Sequence, residues 1–229
     1  MRSKFFCPIH PEGYIFSLIF GCVAILLWHF WYPLGVLGLL LTIWCLYFFR
    51  DPERFVPQDS ESIVSPADGR VCQIDTVAPP KELQLNAKTC IRVSIFMDVL
   101  NVHVNRSPIS GKVVEMHYHE GKFLNASLDK ASEENERQLL TVQNEHDIKI
   151  GVVQIAGLVA RRIRSDVEIN TPLEKGQRFG LIRFGSRVDV YLPHTLAPVV
   201  GIGQTMVAGE TPIAFLHNTL PKPGDFKGV

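Results

Sequence analysis

Two apolar runs open this 229-residue chain, Ile15 to Trp31 and Leu34 to Phe49, and residues 14–49 hold almost no charge. As helix, each run is about 25 Å long at 1.5 Å per residue, slightly short of the ~30 Å hydrocarbon core of a bilayer. The runs are separated at Tyr32-Pro33, with Gly35 and Gly38 close behind. Proline ends or restarts a helix, so the pattern predicts a helical hairpin over residues 1–50. The hairpin either crosses the bilayer twice or enters it as a re-entrant or monotopic element. The competing reading is a buried pair of soluble helices. A cleaved signal peptide fits poorly, because no small-residue cleavage site follows and the segment ends in Tyr47-Phe48-Phe49-Arg50-Asp51-Pro52. Arg2 and Lys4 precede the hairpin and Arg50 and Arg54 follow it. The positive-inside rule therefore puts both ends on the cytoplasmic side. Trp28, Trp31, Tyr32, Trp44 and Tyr47 are candidate interfacial aromatics.

The remainder is of a different character. Residues 51–62 are polar, carry Pro52 and Pro57, and read as a linker. From Ile63 to the end at 229, short β-rich runs alternate with turn residues. Strands are expected at Arg70–Ile74, Cys90–Met97, Lys112–Tyr118, Leu139–Gln143, Ile148–Ile155, Arg178–Phe184, Arg187–Leu192 and Thr211–Phe215. Asn144-Glu145-His146-Asp147 reads as a hairpin turn, and 126–137 as one short helix or an exposed loop. Glycines in Ser65-Pro66-Ala67-Asp68-Gly69 and in 200–211 suit the corners of a small barrel or sandwich. The expected fold is mainly β (α+β), a barrel-sandwich-like domain behind the helical hairpin. With 23 basic and 23 acidic residues the net charge is zero, and nothing points to nucleic acid. Five cysteines without a Cys-x-x-Cys pair read as free thiols in a reducing compartment.

The chemistry centres on Gly185-Ser186, which precedes the alternating run Arg187-Val188-Asp189-Val190-Tyr191-Leu192. A Gly-Ser bond before such a strand is where a pyruvoyl enzyme cuts itself. The serine hydroxyl attacks the preceding carbonyl and the acyl group moves from nitrogen to oxygen. Loss of the α-proton then expels the carboxylate, and hydration releases ammonia and leaves a ketone. This needs a small residue before the serine and a base near the hydroxyl. His103, His117 and His119 fall within one short stretch, and strand alternation puts His117 and His119 on one face. Asp68 in its turn is available to orient an imidazole, giving an Asp–His–Ser arrangement. Zinc held by His117, His119, a further histidine and Asp68 is a weaker reading, since no second ligand pair supports it, and no metal is expected. Arg161, Arg162 and Arg164 suit an anionic lipid or a carboxylate, or a solvated basic face.

Six ordered motifs carry a resemblance: Phe49-Arg50-Asp51-Pro52-Glu53-Arg54, Ser65-Pro66-Ala67-Asp68-Gly69, Val102-His103-Val104-Asn105-Arg106-Ser107-Pro108, Gly121-Lys122-Phe123-Leu124-Asn125-Ala126, Asn135-Glu136-Arg137 and Phe184-Gly185-Ser186. The chain resembles the phosphatidylserine decarboxylases, and among them the short, archaeal-type subfamily. The resemblance implies a proenzyme cut between Gly185 and Ser186 into a β chain, 1–185, and an α chain, 186–229, that stay together. It implies a pyruvoyl group made from Ser186, with which phosphatidylserine forms a Schiff base before losing CO2 to give phosphatidylethanolamine. It assigns Asp68 to self-cleavage and His103 to decarboxylation. The longer bacterial relatives carry a second histidine three residues on, for the triad, where this chain has Arg106. His119 is the expected substitute, with His103 its rival. The implied partners are phosphatidylserine, the lipid bilayer and a second copy of the chain in a homodimer. The implied location is the cell (inner) membrane with the catalytic domain on the cytoplasmic side. The reading from another class is a noncatalytic, membrane-anchored barrel-sandwich adaptor or carrier, although no carrier-type Met-Lys-Met stands in the chain. A zinc hydrolase is a third.

Overall fold

The computed structural model describes residues 7–121, 134–157, 162–183, 186–216 and 226–228. The chain divides into two compact units, with the boundary between Glu53 and Arg54.

The first unit is the expected helical hairpin, α1 (Pro11–Phe30) and α2 (Tyr32–Phe48). Both helices begin a few residues before the apolar runs. Pro11 and Pro33 fit the first helical turn, where no N–H is needed, and Glu12 suits the positive end of α1. Trp31, extended at φ −159°, separates them. The helices approach closely at glycines. A Cβ at Gly35 would stand 2.5 Å from that of Trp28, and one at Gly38 2.7 Å from that of Ala24. Close packing of small residues joins helices where no hydrophobic effect operates between them. The ends of the hairpin are tied by His10 N–H to Phe49 O at 2.8 Å and Asp51 N–H to Pro8 O at 2.7 Å. Ile15, Leu18, Ile25, Leu26, Leu40 and Ile43 are exposed. At 20 residues α1 is long and apolar enough to cross a membrane, and α2 at 17 is shorter.

The second unit is built on an eight-stranded antiparallel sheet curled into a half-barrel. Its order is β10 (Pro172–Leu173), β6 (Gly111–His119), β7 (Arg137–Gln143), β8 (Lys149–Ala156), β12 (Ser186–Pro193), β4 (Cys90–Met97), β3 (Gly69–Val77) and β13 (Thr205–Met206). Bulges at Val71/Gln73 and Val113/Glu115 bend it. Smaller sheets flank it: β5 (Val104–Arg106) with β11 (Arg178–Ile182) and β9 (Ile163–Ser165), β2 (Ser62–Val64) with β14 (Pro212–Phe215), and β1 (Phe55–Pro57) with β15 (Phe226–Gly228). All eight expected strands are present, with ends shifted by no more than a few residues. The expected turn joins β7 to β8, where Asn144 Oδ1 accepts from His146 N–H and Ile148 N–H, both at 2.9 Å. Most of the 126–137 segment lies outside the described residues.

The stretch read as a linker is largely folded. It contains β1 and the start of β2. The Asp59 carboxylate accepts from Ser62 Oγ at 2.9 Å, and Lys175 Nζ donates to Ser62 Oγ at 2.7 Å and to the Asp59 carbonyl. Asp59 and Ser62 thus bond to each other and to a lysine distant in sequence, which composition does not reveal.

Strand alternation sorts the sheet into two faces. Val93, Ile95, Met97, Val113, Leu140, Val152, Ala156, Val188 and Val190 fill the inner face. Leu139, Val153, Ile155 and Tyr191 point outward, where Leu83 and Cys90 join them. None of the five cysteines is in a disulfide.

Candidate active site

Ser186 is the first residue of β12, the strand between β8 and β4, and is fully buried. It pairs with Ala156 on one side and Met97 on the other. Both lie in the inner-face core, so by alternation Ser186, two residues before Val188, faces inward too. Its Oγ has no hydrogen-bond partner among the described residues. Buried hydroxyls are nearly always bonded. An orphaned one beside a small alanine and a flexible methionine fits a serine kept for reaction.

Three motifs converge on this strand end. Asn135 Nδ2 donates to Ala156 O at 2.7 Å, and Ala156 N–H donates to Glu136 O at 2.9 Å. The Glu136 carboxylate accepts from Ile163 N–H at 2.9 Å. Asn135-Glu136 therefore fastens the end of β8 on which Ser186 rests.

Asp68 immediately precedes β3. Arg70 pairs with Phe96, and Phe96 with Arg187, so Gly69, Met97 and Ser186 share one row across the sheet. Two strand spacings separate the ends, roughly 10 Å of backbone. Gly69 makes the approach possible: its φ is +148°, and a Cβ there would strike the Phe96 carbonyl. The Asp68 carboxylate accepts from Arg54 Nη2 at 2.8 and 2.9 Å and from Ala208 N–H at 2.8 Å. Its bound cation is thus an arginine from the end of the first motif.

His103 follows β4 and is fully buried. Its backbone carbonyl accepts from Ile182 N–H at 3.3 Å, four residues before Ser186. Nδ1 lies 3.0 Å from Asn101 O. A carbonyl only accepts, so Nδ1 carries the proton and Nε2 is the basic nitrogen of the neutral ring. Arg106, at the position of the missing second histidine, is buried and donates to Gly176 O at 3.0 Å. It braces a loop.

His119 is elsewhere. Pairing runs from His119 to Arg137, Ile155 and Arg187. That is three strands from β12, about 14 Å across the sheet, in the row of outward-facing Ile155. Its Nε2 is 3.3 Å from Glu82 Oε1, an ion-pair distance without hydrogen-bond geometry. His117 shares that face, as alternation predicts, with Nε2 3.4 Å from Glu115. The structure does not bring His119 to Ser186 or to Asp68. Of the arginine cluster, Arg162 and Arg164 are exposed, and Arg164 pairs with Asp166 at 2.7 Å. Arg161 lies outside the described residues.

Sequence reasoning missed the outer-face anchor of β12. Arg187 is buried and donates to Asp189 at 2.9 Å, and Arg92 makes a double contact with Asp75 at 3.0 and 2.7 Å. Burial, and then the neighbouring Asp189 charge, push the Tyr191 hydroxyl up to about 12. The alternating Arg-x-Asp-x-Tyr pattern was the available signal. Two cavities of about 550 and 640 Å³ lie elsewhere in this unit. Lys175 lines one and Pro193, at the far end of β12, the other, and neither lining includes Ser186, Asp68 or His103.

The phosphatidylserine decarboxylase sequence profile matches residues 41–214. The chain belongs to the phosphatidylserine decarboxylase family. It is 55% identical to a phosphatidylserine decarboxylase proenzyme of Cereibacter sphaeroides over 219 residues, covering 96% of this chain and 94% of the relative. It is 52% identical to one of Ruegeria pomeroyi over 217 residues, 95% and 99% of the two chains. These relatives are bacterial, so the archaeal-type label is not supported. The short chain length is one the bacterial relatives share. Family and relatives favour an enzyme over the adaptor or carrier reading.

Proposed function

We propose that the chain is a membrane-attached proenzyme that cuts itself between Gly185 and Ser186 and then converts phosphatidylserine to phosphatidylethanolamine and CO2. The observation that carries this reading is Ser186, buried at the head of a central strand with its Oγ unpartnered among the described residues, in a chain whose relatives are named proenzymes.

In self-cleavage His103 Nε2 takes the Ser186 hydroxyl proton, and Oγ attacks the Gly185 carbonyl carbon. The acyl group passes from nitrogen to oxygen. Removal of the residue-186 α-proton breaks the ester and releases the Gly185 carboxylate. Water then adds to residue 186 and ammonia leaves. Asp68, fixed by Arg54 and Ala208 N–H, supplies negative charge on the side of Met97 as the imidazolium forms. His119 has no part, because it faces the other side of the sheet.

The pyruvoyl group so made supplies a ketone that draws electrons from the bond to CO2. His103, protonated at Nε2, returns a proton to the carbon that CO2 leaves. The buried inner face excludes water from that carbon. The α chain stays with the β chain because β12 is paired along both edges, and β13 and β14 pair with β3 and β2. The hairpin holds the domain at the cytoplasmic face of the cell membrane, where the substrate's acyl chains remain in lipid.

The test is Ser186→Ala in the full chain. It should leave a single uncut polypeptide with no CO2 release from phosphatidylserine vesicles. Cutting in that variant would refute the assignment.

A further inference from the structure

One buried acceptor near Ser186 is unused by the scheme above. Gln154 stands on β8 opposite Val188, two residues from Ala156, which pairs with Ser186. Its neighbours along the strand, Val152 and Ala156, belong to the inner-face core. Gln154 therefore shares a face with Ser186 and is its diagonal neighbour across the β8–β12 ladder. It is 1% exposed, and its Oε1 has no partner among the described residues.

The direction of that oxygen follows from a relay of hydrogen bonds. The Pro66 carbonyl can only accept, so the group of Asn105 that meets it at 3.3 Å is Nδ2. Asn105 Oδ1 must then face Gln154. Gln154 must present Nε2 to it, and does so at 2.7 Å. Oε1 is left as the end of the chain, an acceptor with nothing to accept. Amide orientation is assigned from networks of this kind, and here both amides are set by one backbone carbonyl two residues before Asp68. Neither amide can turn without placing two acceptors or two donors face to face.

Two complementary orphans thus lie side by side on one buried face: the Gln154 Oε1 acceptor and the Ser186 hydroxyl, which can donate. We propose that Gln154 Oε1 receives the Ser186 O–H in the proenzyme. The contact holds Oγ so that an oxygen lone pair can approach the Gly185 carbonyl carbon, and the single hydroxyl proton then swings from Gln154 Oε1 to His103 Nε2, which removes it. No bond is made or broken by Gln154 itself. Asn105 is a positioning residue that acts through Gln154, and it links the Pro66-Ala67-Asp68 turn to the reacting oxygen.

This inference rests on the self-cleavage reading, and its test separates the two. Full-length proenzyme is synthesised in the presence of detergent micelles, and the two fragments are followed in time by intact mass. Gln154→Met keeps shape and removes the acceptor; Gln154→Glu keeps one, because a carboxyl buried there stays protonated and its O–H donates to Asn105 Oδ1 in place of Nε2. The expected result is self-cleavage slowed about tenfold or more in Gln154→Met and within a few-fold of the parent rate in Gln154→Glu. Thermal unfolding of each variant in a Ser186→Ala background monitors folding. Gln154→Met cutting at the parent rate overturns the proposal. So does equal slowing of both variants accompanied by equal loss of thermal stability, which marks a structural role. If the parent chain itself never cuts, the self-cleavage reading fails first.

Discussion

At the scale of single residues, His103 and His119 differ in burial and in partners. The His103 carbonyl accepts from Ile182 N–H, and its ring proton is fixed on Nδ1 by Asn101 O. His119 pairs with Glu82 on the sheet face away from Ser186. His103→Ala should slow appearance of the two fragments by about 10²–10⁴-fold, while His119→Ala should cut at the parent rate on the same gel. Arg54 belongs to this scale as well. Its guanidinium meets Asp68 with both side chains largely buried. Arg54→Met leaves that carboxylate only Ala208 N–H among these contacts. It should lower stability by about 1–3 kcal/mol, measured by urea unfolding of the Ser186→Ala proenzyme in detergent.

At the scale of elements, strand positions were legible from β-branched alternation, and β4 runs from Cys90 to Met97 as expected. Ser186 was legible as the opening of an alternating run, and it does begin β12. The face of His119 was not. A bulge between Val113 and Glu115 resets the alternation of β6, and no local signal announces a bulge. Arg54–Asp68 and Gln154–Asn105 were also hidden, because they join residues 14 and 49 positions apart. Gly69 tests the corner that delivers Asp68. Gly69→Ala forces a Cβ against the Phe96 carbonyl at φ +148° and should cost at least about 2 kcal/mol. Differential scanning of the uncut Ser186→Ala background should show Tm lowered by roughly 4 °C or more.

At the scale of the whole molecule, a helical hairpin with exposed apolar side chains precedes a β unit whose main sheet buries Ser186. The segment between Arg54 and Ser62 is part of that β unit, and its charge pair makes stability depend on pH. Burial raises the Asp59 carboxyl, but hydrogen bonds from Ser62 and the charge of Lys175 outweigh it and hold Asp59 below the usual carboxylate range. A depressed folded value means the contribution is fully present above the unfolded value of about 3.9. It is lost as pH falls through the lower folded value. Asp59→Asn should therefore be less stable than the parent at pH 7, and the gap should narrow as the pH is taken well below 4, read by urea titration of Ser186→Ala proteins.

The most direct test of the central claim is the intact mass of the purified, unmodified chain. The account predicts two fragments, residues 1–185 and a smaller one beginning at position 186 that is lighter by one ammonia than the corresponding serine-headed peptide. A single full-length mass, or a smaller fragment retaining the Ser186 amine, would contradict it.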